Sequence, residues 1–248
     1  MTIHDIAAKI KANHISHHLV LIAIEGYGGS GKTTIAEQLK DGLGNAYIVN
    51  IDDFIVKAKL TEPSWDDGGF DRKRLEEQVL IPATTGKDVR YQKLIWQTDT
   101  LSDPIAVPVV DYLIVEGISS YHPDIAKYYD YKIWVETPID AAKARGKKRD
   151  AGNENVDKWD MWAQNDLDYQ AKYHPEQEAD FMVENGSVDL TTNPTNPTLK
   201  VGDTVHRPTH FWSPAVHELL KYLESVNFPY SPHYLGQDDE GREILSHI

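Results

Sequence analysis

The chain has no cysteine, far fewer cations than acids and no long hydrophobic run, and each shortage closes off a class of function. Without cysteine there is neither disulfide nor thiolate chemistry. Lys and Arg number 25 against 39 Asp and Glu, a formal net charge of -14. That balance opposes broad binding to nucleic-acid phosphates, which draws mainly on clustered Lys and Arg, so no nucleic-acid partner is expected. No apolar run approaches the length of a bilayer span, so no membrane partner is expected either. The opening residues, MTIHDIAAKIKANHI, alternate polar and apolar positions as an amphipathic helix does, unlike the apolar core of a signal peptide, and the expected compartment is the cytoplasm. What is present is the 40% hydrophobic, 26% charged balance of a globular protein. A chain of 248 residues is long enough for one large domain or for an ordinary domain with an appendage, and it is compatible with a homo-oligomer.

Hydrophobic periodicity predicts an α/β fold. Ile3, Ile6, Ala7 and Ile10 recur at helical spacing, HLVLIAIEG reads as a buried strand, and Ile35, Ala36, Leu39 and Leu43 mark one face of a helix that begins at Lys32. A second strand, AYIVNID, follows; Asp71 to Leu80 reads as a helix, DVRYQKLIW and IAVPVV as short extended pieces, and DYLIVEG and YYDYKIWVET as the third and fourth strands. Two helices and a short strand, ADFMVEN, complete this part. Strands alternating with helices imply a mostly parallel sheet covered on both faces. After Asn185 the segment GSVDLTTNPTNPT is poor in apolar residues, which sets a first domain at 1–186, a linker at 187–198 and a small α+β appendage at 199–248. In the appendage, LKVGDTVHRP and HYLGQDDEGREILSHI read as hairpins. SPAVHELLKYLESV between them reads as a helix with Ser213 as cap, Pro214 first, and Val216, Leu219, Leu220 and Leu223 on one face.

Gly26 to Thr33 spells G-x-x-x-x-G-K-T between the first strand and the following helix. Glycines at Gly26, Gly28, Gly29 and Gly31 let successive amides, with those of Ser30 and Thr34, turn toward phosphate oxygens. Lys32 reaches the outer phosphates and the Thr33 hydroxyl is placed to ligate magnesium. The expected ligands are therefore ATP, or another nucleoside triphosphate, and Mg2+. The loop alone leaves a motor, a switch GTPase or a small-molecule kinase open; no Asn-Lys-x-Asp element occurs, and basic tracts expected of a helicase are missing.

Strand-end acids favour the kinase. Asp52 and Asp53 close the second strand and Glu116 closes the third, at the sheet edge where ligands of open parallel sheets bind. Glu116 would hold magnesium, and one aspartate, Asp52 before Asp53, would take the proton of an incoming hydroxyl. The run AAKARGKKRD places Lys143, Arg145, Lys147, Lys148 and Arg149 within two turns, with Arg145 and Arg149 stacked on one face. Such a run is ordinarily a solvated face; its place after the fourth strand suggests a lid that brings cations onto a transferring phosphoryl group. Trp159, Trp162 and Tyr169 at helical spacing read as core packing.

With these residues in order, the stretch from about Leu19 to Asn185 resembles the uridine kinase family of phosphate-loop kinases, which also includes phosphoribulokinase and bacterial pantothenate kinase. GYGGSGKTT, IDDF, WDDGGFD, VRYQ, YLIVEGISSYHPDIAKYYDYKIWVET and ARGKKRD carry the likeness. It implies a phosphate-loop sandwich with a helical lid, and transfer of the nucleotide's terminal phosphate to a primary hydroxyl of a small acceptor, most naturally a nucleoside such as uridine. On matching positions, Asp52 falls at the catalytic aspartate, Asp66 near the acid that holds the acceptor's sugar hydroxyls and Tyr91 at an acceptor-pocket aromatic. Glu116 falls at the magnesium-site acid and Arg149 at a lid arginine; Asp53 joins Asp66 and Tyr91 on the acceptor side. The chain departs from the family at Ile55, at KLIWQTD and at AGNENVD, all around the acceptor. From about Leu199 on, VGDTVHRP, WSPAVHELLKYLES and YLGQDDEGREILSHI resemble the opening of an aminoglycoside phosphotransferase-like small lobe without that family's catalytic loop, which implies a packing or regulatory appendage or the stump of a longer fusion. The alternative is a nucleotide-binding regulator without phosphotransfer whose C-terminal module binds a partner.

Overall fold

Six consecutive residues, Val20–Glu25, are buried, and they form the central strand β1 of a five-stranded sheet. The computed structural model describes residues 1–14, 19–59, 64–66, 68–185, 187–189 and 198–246. Helix α1 (Ile3–Ala12) precedes β1, helix α2 (Lys32–Leu43) follows it, and β2 (Ala46–Asn50), β3 (Tyr112–Glu116), β4 (Tyr131–Glu136) and β5 (Phe181–Glu184) complete the sheet in the order β2-β3-β1-β4-β5. β1 pairs in parallel with β3, Ile24 beside Glu116, and with β4, while β2 pairs in parallel with β3, Asn50 beside Glu116.

Alternation along the strands divides the interior into two layers. Val20, Ile22, Ile24, Ile114 and Ile133 face α1 and α2, whose Ile6, Ile10, Ala36 and Leu39 are fully buried against them. Leu21, Leu113 and Val115 face the opposite layer, with Phe54, Leu75, Val79, Leu80 and Tyr169. The result is a three-layer α/β sandwich. α1 begins with a capping box in which Thr2 and Asp5 satisfy each other's amides.

The helix expected over 71–80 runs further, from Arg72–Leu75 through a π-helical turn at Glu76–Leu80 to Ile81–Thr84. The Ile81 amide reaches back to the Glu76 carbonyl, and the widened turn sits directly before Pro82, which has no N–H to continue the regular ladder. Two short antiparallel ladders follow, Arg90–Tyr91 with Ile105–Ala106 and Leu94–Ile95 with Thr100–Leu101. Helices α3 (Ile139–Arg149) and α4 (Trp159–Tyr173) come after β4. Of the stripe read as core packing, Trp159 and Tyr169 are buried and Trp162 is half-buried against the same layer as Tyr169. No helix among the described residues is long and apolar enough to cross a membrane.

The chain divides into compact units at Met1–Val183 and Glu184–Ile248. Of the stretch read as a linker, Ser187–Asp189 forms a strand, β6, and residues 190–197 lie outside the described residues. β6 joins β7 (Leu199–Val201), β8 (Thr204–Arg207), β9 (Tyr234–Gln237) and β10 (Glu243–Ser246) in an antiparallel sheet ordered β6-β7-β8-β10-β9, with helix α5 (Ser213–Ser225) between β8 and β9. Both expected hairpin regions form strands. The helix differs in two respects from its sequence reading. Its cap residue is Trp212, and the Ser213 hydroxyl instead accepts the His210 N–H at 2.9 Å. Leu219 is exposed, whereas His217 turns inward to the buried Glu243 carboxylate, 2.5 Å away, and stacks on Tyr234. A charged partner in the sheet, rather than apolar spacing alone, sets which face of α5 is covered.

Candidate active site

The phosphate loop lies between the end of β1 and the start of α2. Gly31, the residue before the helix, takes a left-handed conformation at φ 91°, so no side chain caps α2 and its first amides point outward. Such a helix start favours an anion. Gly29 is held still more tightly: at φ 79°, a Cβ there would lie 2.1 Å from the Ala142 carbonyl oxygen. Lys32 lies inside the loop it follows, donating to the Gly26 carbonyl at 2.9 Å and the Tyr27 carbonyl at 2.8 Å. Burial lowers its pKa, and the carboxylates of Glu116, Asp166, Asp52 and Glu25 oppose that shift.

Parallel register delivers the acids. Glu116, at the end of β3, is buried and accepts both the Thr33 hydroxyl at 3.1 Å and the Asn50 amide at 2.8 Å. Burial raises its pKa, with Lys32 pulling it down. Asn50 also begins the next turn, its carbonyl oxygen accepting the Asp52 N–H at 2.8 Å, so one side chain ties Glu116 to the Ile51–Phe54 turn that carries Asp52 and Asp53. The Asp52 side chain is accessible to solvent, yet protein crowds its base. That desolvation raises its pKa, Asp53 adds to it, and Lys32 and Arg149 act against it. Lys32, Thr33, Asp52 and Glu116 are thus together. Asp53 turns the other way, 3.3 Å from Lys93, with its backbone carbonyl held by Arg74 at 3.0 Å.

Two carboxylates and a hydroxyl suit magnesium, a hard ion that takes oxygen ligands and keeps water and substrate phosphates among them, while the adjacent amides suit the phosphates. Among the described residues there is no cluster of three or more His, Asp or Glu that would enclose a metal without such help.

Residues expected on the acceptor side are distributed unevenly. Tyr91 is buried and stacks on Phe54 at 5.8 Å, and burial drives its hydroxyl pKa upward. Asp66 is bound by Lys172 and Tyr173 of α4 and lies 3.5 Å from His122 Nε2. The Lys172 and Tyr173 hydrogen bonds hold its carboxyl at about 2. In the basic helix α3, Asp160 takes Lys143 at 3.3 Å and Lys147 at 2.9 Å. Arg149 lies over the Trp159 ring at 5.4 Å and meets Asp150 at 3.0 Å, close enough to Asp52 to act on its charge. Arg145 is half-buried, and burial lowers its pKa.

Three further residues belong to this constellation. Asn50 links Glu116 to the Asp52 turn. Glu25, the last residue of β1, is fully buried, accepts the Tyr121 N–H at 3.1 Å and is pushed by burial up to about 8. Asp166 reaches from α4 to accept the Gly28 N–H of the phosphate loop at 2.7 Å. The signal for Asp166 is visible in retrospect as a lone acid on the buried Trp159, Ala163, Tyr169 stripe.

Several small-molecule kinases are similar to this chain. No family model matches the chain. It is 27% identical over 150 residues to uridine-cytidine kinase B of Dictyostelium discoideum, covering 56% of this chain and 62% of that kinase. It is 27% identical over 160 residues to nicotinamide riboside kinase of Saccharomyces cerevisiae, covering 54% of this chain and 67% of the relative. The chain thus spans less than two thirds of the first relative's length. Among solved structures, a possible uridine kinase from Bacillus stearothermophilus superposes with a TM-score of 0.56 at 18% identity, covering 73% of this chain and 96% of that one. The shared fold is the α/β sandwich with its parallel sheet.

Proposed function

We propose that the chain is a kinase that moves the terminal phosphate of ATP, with magnesium, onto a hydroxyl of a small molecule, a nucleoside being the acceptor class its relatives favour. One observation carries the reading: the Thr33 hydroxyl meets Glu116 at the loop, and Lys32 and Asp52 share the same electrostatic neighbourhood. Uridine, cytidine and nicotinamide riboside, named for the relatives, share a ribose hydroxyl and lead the candidates.

In this reading the loop amides and Lys32 hold the triphosphate. Thr33, Glu116 and Asp52 would hold magnesium, which supplies charge neutralisation between the outer phosphates. Asp52 accepts the acceptor's hydroxyl proton as its oxygen bonds to the terminal phosphorus and the bond to the β–γ bridging oxygen breaks. Arg149 and Arg145, on α3, stabilise the negative charge of the transferring group. Asp53, Asp66 and Tyr91 shape the acceptor side. The Glu184–Ile248 unit is read as a small-lobe-like appendage, supported by its antiparallel sheet with one helix inserted between the third and fourth strands.

A coupled ADP-release assay across nucleosides, nicotinamide riboside, pantothenate, sugars and sugar phosphates tests the proposal. ADP release should rise with one acceptor and vanish in Lys32→Ala. The second reading, a regulator that binds nucleotide without transfer, draws on the exposed apolar residues of the C-terminal unit, Phe211, Tyr222 and Tyr230 among them. Tight ATP binding with no acceptor-stimulated release would establish it instead.

A further inference from the structure

The acid that touches the phosphate loop most directly belongs neither to the loop nor to a strand end. Asp166 is only 3% exposed, and both of its carboxylate oxygens are occupied by donors from distant parts of the chain. Oδ2 accepts the Gly28 N–H at 2.7 Å, and Oδ1 accepts the Trp65 indole N–H at 2.7 Å. Trp65 is the neighbour of Asp66 in the segment expected to face the acceptor, and Arg72 donates to the backbone carbonyls of both residues at 2.8 and 2.7 Å. One side chain therefore joins the nucleotide-holding loop, the acceptor-side segment and helix α4.

The surroundings leave little room for any other arrangement. A Cβ on Gly28 would lie 3.2 Å from the Trp159 ring and 3.4 Å from Asp166 Oδ2. A Cβ on Gly146 would lie 2.2 Å from the same ring, so the basic helix α3 packs directly on α4. Tyr27, next in the loop, donates its hydroxyl to Gln170, one turn along α4 from Asp166. Two consecutive loop residues are thus fastened to one helix face. A charge-assisted bond to a buried amide is among the stronger hydrogen bonds.

We propose that Asp166 is a positioning residue: it fixes the crest of the phosphate loop through Gly28 and ties that crest to the acceptor-side segment through Trp65. The inference rests on the reading of the loop as a nucleotide site. An ionised carboxylate so near Lys32 would, as an unbonded charge, repel phosphate. Bonded to Gly28 it holds the loop's amides pointing inward instead, which predicts that losing it weakens nucleotide binding rather than tightening it.

Calorimetric titration with ADP tests this on the full chain and on Asp166→Asn, Trp65→Phe and the double variant. Asn keeps one acceptor oxygen but turns N–H groups toward the second donor. Phe removes the indole donor, leaving a small cavity in place of the pyrrole ring, and keeps the Gly28 bond. Asp166→Asn should weaken ADP binding tenfold or more, and Trp65→Phe several-fold. In the double variant the Trp65 change should add nothing, because both act through one carboxylate. The Gly28 amide proton resonance should move in Asp166→Asn, which a purely structural loss elsewhere in α4 would leave alone. Unchanged or tighter ADP binding in Asp166→Asn overturns the inference, as do effects of the two substitutions that simply multiply. Should Asp166→Asn fail to fold, normal ADP affinity in Trp65→Phe overturns it by itself. A wild-type chain that binds no ADP defeats the nucleotide reading itself, and the inference with it.

Discussion

Asp52 and Glu25 are both crowded acids near Lys32, yet they have different surroundings and different consequences. Asp52 is accessible to solvent, and Asp52→Asn should lower kcat by about 10²–10⁴-fold while ADP affinity by calorimetry stays near wild type. Loss of ADP binding would mean that the residue shapes the loop instead. Glu25 is enclosed, and burial keeps its carboxyl near 8 against 4.5 for an unperturbed glutamate. Between those values the folded chain binds the extra proton, so Glu25 makes stability fall as pH rises, by at most about 1.4 kcal/mol per pH unit. Above 8 that loss is complete. Glu25→Gln should therefore flatten the decline of Tm between pH 5 and 8, and an unaltered profile would place the charge of Glu25 elsewhere. At this scale the sequence was legible where chemistry and position coincide: Lys32, Thr33, Asp52 and Glu116 meet as the loop motif and the strand ends imply. Asn50 was not, because an amide at a strand end has no local pattern, and Asp166 shows only as one acid on an otherwise apolar helix stripe, which does not say what it holds. Their roles appear only when register and helix packing bring distant residues together.

Elements were legible in proportion to their periodicity. α1, α2 and the buried strands carry clean 3.6-residue or continuous apolar signals, and the structure forms each of them. The helix at Arg72 outruns its expected end because a π turn absorbs Pro82, and α5 turns a histidine inward because Glu243 waits beneath it. Periodicity records apolar spacing and is blind to both causes. The contact between α3 and α4 shows what such packing costs to disturb. Gly146 is buried against Trp159, whose indole donates to Asp150 at 2.9 Å, so the ring cannot rotate away without giving up that bond. Gly146→Ala should destabilise the fold by about 1–3 kcal/mol, as overpacking of a filled core does, despite alanine's better helix propensity. Denaturant unfolding measures it; a gain in stability would show that α3 can slide along α4.

For the whole molecule, the decisive question is whether the site needs the C-terminal unit. Every residue assigned to the phosphate site, from Gly26 to Asp166, lies within Met1–Val183, and so do both core layers of the sandwich. β5 ends at Glu184, and its Val183 is buried in the layer shared with α1 and α2, so any separation must keep that strand. A chain of residues 1–185 retains it, and all five strands of that sheet end at or before Glu184. Such a chain should unfold in a single transition by differential scanning calorimetry and bind ADP within about threefold of the full chain, because ligand affinity is set by the groups that touch or position the ligand. The C-terminal unit has its own buried carboxylate, Glu243, bonded to His217 and to the partly exposed Arg207, and its own sheet, which fits a module that folds around itself. An insoluble 1–185 chain, or one that has lost ADP binding while still melting cooperatively, would make the C-terminal unit part of the kinase fold and would move the boundary read from the sequence.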